Sequence, residues 1–184
     1  MNRTVDRFAL PARILHWLMA ALILAMLLIG AGMVSTVTER YPELLAIHRP
    51  LGLAILLLAL LRLIVRLTHR PPPLPGDLPP IQVALAKGSH YVLYILMIGL
   101  PLIGWAMQSA GGYPIVIWKG FELVPILPHN IVVYGWLRLS HTLLAYAFFL
   151  LILGHLAAAL VHAFIRRDGV FESMAGGSTR SAGD

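Results

Sequence analysis

The stretch WLRLSHTLLAYAFFLLILGHLAAALVHAFIRR, Trp136 to Arg167, constrains this chain more than any other. From Leu139 to Ile165 it has no Asp, Glu, Lys or Arg, which is long enough to cross a bilayer as one tilted helix, yet it carries His141, His155 and His162. On an α-helix His141 and His155 stand about 21 Å apart along the axis and about 40° apart around it. They share one side at two depths. An imidazole in hydrocarbon is unfavourable without a partner, so two on one side imply two partners, one above the other.

The remaining sequence belongs to the same environment. Of 184 residues, 59% are hydrophobic and 12% charged, and the mean hydropathy is +0.81, outside the balance of a water-soluble domain. The net charge of +6, from 14 Lys and Arg against 8 Asp and Glu, is explained in so apolar a chain by loop topology rather than by a nucleic-acid partner. The absence of cysteine removes disulfides, thiolate metal sites, iron–sulfur ligation and covalent haem attachment. Any haem here is held non-covalently, as type b.

Taken in order, the chain divides into four apolar helices. The first is expected over residues 12–36, with Pro11 where a helix can begin. Its apolar run is too long for the core of a signal peptide, so it spans. The second covers 43–68, with His48 near its start and Arg62 and Arg66 near its end, and is stopped by the proline-rich HRPPPLPGDLPP. The third covers 87–108 and contains His90 and Pro101. The link that follows, broken by Gly and Pro but rich in Ile, Val, Trp and Phe, suits the membrane interface. The fourth covers 136–166, and the Gly-, Ser- and Ala-rich tail 168–184 is expected to lack structure. The fold expected is all-α, a single-domain transmembrane four-helix bundle.

Cations set the orientation. With the N-terminus inside, Arg3, Arg7, Arg13, Arg62, Arg66, Arg70, Lys87, Arg166, Arg167 and Arg180 lie on the inner side, against Arg40, Arg49, Lys119 and Arg138 outside. Both termini are thus expected in the cytoplasm. His16 then lies toward the inner face and His48 toward the outer, and the descending fourth helix carries His141 at the level of His48 and His155 toward that of His16. Pairs at two levels are what two stacked bis-histidine haems require, and six-coordinate iron favours electron transfer over oxygen binding. Arg49 and Arg138 are candidates for the outer propionates, and Arg13, Arg62 and Arg66 for the inner ones. Gly52, Gly104 and Gly154 are candidates for close approach of backbones or porphyrin faces. On the inner side spacing leaves a choice: His162 shares the face of His155 about 10 Å deeper, and His90 opens the third helix at the same level.

The segments HW at the head of the first helix, IHRPLG in the second, GLPLIGW in the third, and SHTLLAY with GHLAAALVH in the fourth together resemble the bacterial cytochrome b561 family. The resemblance implies that His16 and His155 ligate the inner haem iron and His48 and His141 the outer. It also places His162 and Lys87 near the inner surface where members bind quinone. It implies two b haems in a multi-pass protein of the bacterial inner membrane, with electrons moving from a periplasmic donor to ubiquinone. In some members that donor is superoxide. Two other readings of the same residues are a b-type membrane anchor subunit relaying electrons for a hydrogenase or dehydrogenase, and a His-lined metal or proton transporter. A transporter should show acidic residues or broken helices at mid-membrane, and only Pro101 hints at one.

Overall fold

The structure is a computed structural model that describes residues 7–36 and 38–176. Arg3, Arg180 and tail residues 177–184 lie outside the described residues. Four helices are long and apolar enough to cross a membrane: α1 (Leu10–Ser35), α2 (Arg40–Thr68), α3 (Pro80–Ala110) and α4 (Ile131–Leu160). α4 continues through a π-helical turn, Val161–Arg166. The protein is an all-α membrane bundle.

Each boundary has a local cause. Pro11 falls in the first turn of α1, where no backbone N–H is needed. α3 begins at Pro80, seven residues earlier than Lys87, because the last proline of the connector serves as an opening residue instead of a barrier. Pro101 sits inside α3 without ending it. α4 begins at Ile131 because the Asn130 side chain accepts from the N–H groups of Val132 and Val133, at 3.0 and 3.1 Å.

α1 packs on α2, α3 on α4, and α2 on α3, whereas α1 and α4 make almost no close backbone approach. The core is a short apolar layer of Met19, Ile23, Ile55, Ala59, Leu96, Met97, Leu100 and Phe148. By helix position this layer lies midway between the levels of His16 and His48.

The α3–α4 link folds into a hairpin of β1 (Ile115–Trp118) and β2 (Phe121–Leu123), antiparallel, with Gly120 at φ +85° making the turn. Alternation in β1 buries Ile115 and Ile117 toward α2 and α3. Trp105 Nε1 donates to the Val124 carbonyl at 3.0 Å, and Ser109 Oγ accepts from Ile126 N–H at 3.1 Å. The link is thereby tied to the end of α3. At the opposite end, the segment after Asp168 departs from the expectation of a structureless tail: Val170–Ala175 forms α5. Phe8 N–H donates to the Ser173 carbonyl at 3.2 Å, and Arg13 and Trp17 both donate to that of Met174 at 3.3 Å. Composition cannot register these long-range bonds.

Candidate functional site

At the hairpin end, His48 of α2 faces His141 of α4 with ring centroids 6.2 Å apart and planes at 64°. Both rings are half-buried, and Nδ1 of each is buried without a hydrogen-bond partner among the described residues. Glycines flank the pair: a Cβ on Gly30 would come 4.0 Å from Cε1 of His48, and one on Gly104 3.4 Å from Cε1 of His141. Gly52 faces Met26 and Gly154 meets open space. Arg49 donates to Gln108 Oε1 at 2.7 Å while its own Nε is buried and unpartnered. Arg138 is exposed, its guanidinium 3.4 Å from the Tyr134 hydroxyl.

At the other end, where α1 begins and α4 finishes, His16 faces His155 with centroids again 6.2 Å apart and planes at 67°. His90 stands 5.4 Å from His155, its Nδ1 hydrogen-bonded to the Ala86 carbonyl at 2.7 Å. A cleft beside them is lined by Phe8, Ala12, Arg62, Arg66, His90 and Met174. Arg62 donates to the Ala12 carbonyl at 3.2 Å, Arg66 lies over the Phe8 ring, and Arg13 is turned to the Met174 carbonyl.

His162 is not part of this cluster. Its Nδ1 pairs with Asp168 Oδ2 at 2.7 Å, and the same oxygen accepts from Arg166 Nε at 2.9 Å. Burial alone would raise the Asp168 carboxyl, but the hydrogen bonds from Arg166 and His162 outweigh it and hold Asp168 below the ordinary aspartate range. Lys87 is exposed on α3, one turn before His90.

The pairs can be tested against a shared metal. Two imidazole nitrogens bonded to opposite sides of one ion lie about 4 Å apart, at about 2 Å per bond, and each ring centre stands roughly 1 Å behind its nitrogen. The centroids should then be about 6 Å apart, and both pairs match. Among the described residues no group of three or more His, Cys, Asp or Glu could hold a bare ion. Two facing imidazoles instead suit an iron whose other ligands come from a macrocycle. The 6.2 Å spacing of both pairs, and α1 and α4 held apart, fit a flat group between the helices.

Sequence reasoning missed several neighbours. Gly30 and Gln108 gave no signal, since nothing local points them at His48 or Arg49. Asp168 gave one: a carboxylate just past the Arg166–Arg167 pair that ends the uncharged run, six residues after a histidine.

Residues 7–177 match the prokaryotic cytochrome b561 family. The chain is 27% identical to cytochrome b561 homolog 2 of Escherichia coli (strain K12) over 185 residues, covering 99% of this chain and 98% of that protein. It is 34% identical to a Yersinia pestis protein named "Probable superoxide oxidase CybB" over 137 residues, 72% of this chain and 75% of the relative. Cytochrome b561 homolog 1 of Escherichia coli (strain K12) is 27% identical over 175 residues, 92% of this chain and 97% of that relative. A match over nearly the whole chain, on a bundle that pairs histidines at both ends, makes this bacterial membrane protein a member of the prokaryotic cytochrome b561 family, a family of b-haem electron carriers.

Proposed function

We propose that the chain holds two b haems in the bacterial inner membrane, takes electrons from superoxide on the periplasmic side and passes them to ubiquinone on the cytoplasmic side. The observation that carries this reading is the pair of facing histidines at each end of the bundle, both at 6.2 Å, with an apolar layer between. His48 and His141 hold the outer haem iron, His16 and His155 the inner. Arg49 and Arg138 serve the outer propionates, and Arg13, Arg62 and Arg66 the inner. His162 and Lys87 lie toward the quinone. When bound, each b haem would supply one-electron carriage.

The chain's own residues supply the rest. The layer around Phe148 and Ala59 excludes water between the two levels. Arg40, Arg49, Lys119 and Arg138 give the hairpin side a cationic surface, offset in part by Glu39, Glu43 and Glu122, that attracts a small anion. Two superoxide ions lose one electron each to give two O2, and the quinone takes two electrons and two protons to give quinol. The similarity to the Yersinia pestis relative supports superoxide as the donor.

The test is spectroscopic. Purified protein should contain two low-spin b haems per chain, reduced by pulsed superoxide and reoxidised by added ubiquinone. One haem per chain would remove the two-level reading. A soluble redox partner that co-purifies and reduces the protein, with superoxide inert, would favour a membrane anchor subunit.

A further inference from the structure

The inner end of α4 is built in a way that haem ligation does not require. The helix widens into a π turn at Val161–Arg166, and Arg167 then takes φ 50°, which folds Asp168 back beneath the turn. Asp168 Oδ1 accepts from the N–H of Val170, the first residue of α5, at 3.3 Å. Oδ2 is left to His162 Nδ1 and Arg166 Nε, at 2.7 and 2.9 Å. Arg166 also bonds Asp77 of the connector at 2.6 Å. Arg166 is shared between Asp168 and Asp77, so the imidazole is a second, separate partner of the Asp168 carboxylate.

A carboxylate on Nδ1 fixes the tautomer and orientation of an imidazole and stabilises its protonated form, leaving Nε2 to exchange a proton. Nε2 of His162 makes no hydrogen bond among the described residues. On the same turn Val161, Phe164 and Ile165 are 40, 69 and 76% exposed, so this end of the helix presents apolar surface to a lipid-borne molecule. The side chains of His162 and Asp168 are themselves only 19 and 13% exposed. The π turn packs on α4 and α5. Besides Asp168 and Arg166, the titratable groups nearest the turn along those elements are His155 near the end of α4, Arg167 after the turn and Glu172 of α5, with Asp77 bonded to Arg166; Tyr134, Arg138, His141 and Tyr146 lie further back along α4.

We propose that Asp168 is a positioning residue for proton delivery, holding His162 so that Nε2 gives protons to the oxygens of the bound quinone. This rests on the quinone reading above. The quinone gains two electrons from the chain's carriers and two protons, each leaving Nε2 for a quinone oxygen, and the imidazole regains each proton from water on the terminal side.

The experiment follows haem absorbance in the purified holoprotein, reduced with superoxide and mixed with a short-chain ubiquinone. Asp168→Asn should keep the haem spectrum and the superoxide-driven reduction, while reoxidation slows about 10-fold at pH 8 and less at pH 6, short of the 10²–10⁴-fold of a lost acid catalyst because the His162 imidazole itself remains. The quinone KM should stay within about twofold. His162→Gln should be slow at both pH values. Wild-type reoxidation by both variants would overturn the proposal, as would slowing that is equal at all pH and accompanied by a raised KM. Should Asp168→Asn lose haem, His162→Gln decides alone, and a wild-type rate in it overturns the proposal. Wild-type protein that ubiquinone cannot reoxidise would instead remove the quinone reading, and this role with it.

Discussion

Gly104 offers a graded probe of the hairpin-end pair. A Cβ placed there meets His141 Cε1 at 3.4 Å, just inside the 3.5–4.0 Å optimum for carbon pairs. Gly104→Ala adds that atom and no more, and the gain of about 0.5–1 kcal/mol in helix preference offsets the tight contact. Gly104→Val adds two methyl carbons that cannot turn freely away, because valine keeps one dominant rotamer in a helix. The ring must move, at an overpacking cost of about 1–3 kcal/mol, which is roughly 5- to 150-fold in affinity for whatever His141 helps to hold. The expected result is two haems per chain with Ala, and with Val loss or weakened retention of one haem whose low-spin spectrum is the outer component. Haem titration of the stripped protein, with low-temperature spectra to separate the two haems, reads this directly. A valine variant with two unaltered haems would show that His141 does not hold one.

Two further outcomes follow from the geometry. His155→Ala should lose the inner haem and keep the outer, whereas His162→Ala should keep both because His162 is engaged with Asp168 instead; haem stoichiometry checks each, and the reverse pattern would transfer the ligand role to His162. Ser109 is 3% exposed, donates to the Trp105 carbonyl at 2.8 Å and accepts from Ile126 N–H. Ser109→Ala strands that N–H and should cost about 1–3 kcal/mol, seen as a lower unfolding midpoint in detergent with the haem count unchanged.

Much of the architecture was legible without coordinates. Four spans follow from hydropathy, since a bilayer asks each of them for about 20 apolar residues. The shared face of His141 and His155 follows from the helical period, and the match of His48 to the level of His141 and of His16 to that of His155 follows from antiparallel order. The fold expected and the fold found agree because each of these is a property of one segment and its solvent. The hairpin was not legible, because its pairing and its seat on α2 and α3 depend on contacts between segments.

What the sequence by itself determined was depth: which histidines lie at which level of a membrane helix. What only the tertiary structure decided was azimuth and company. From spacing, His155, His162 and His90 were equal candidates to face His16. Packing sets His155 against His16 at 6.2 Å, brings His90 beside it, and turns His162 to Asp168 through a π turn and a left-handed Arg167. A π turn changes the rotation per residue, so a face extrapolated from α-helical spacing no longer holds beyond it. Rise along a helix is a local quantity, but the direction a ring faces is fixed only by the neighbours it meets.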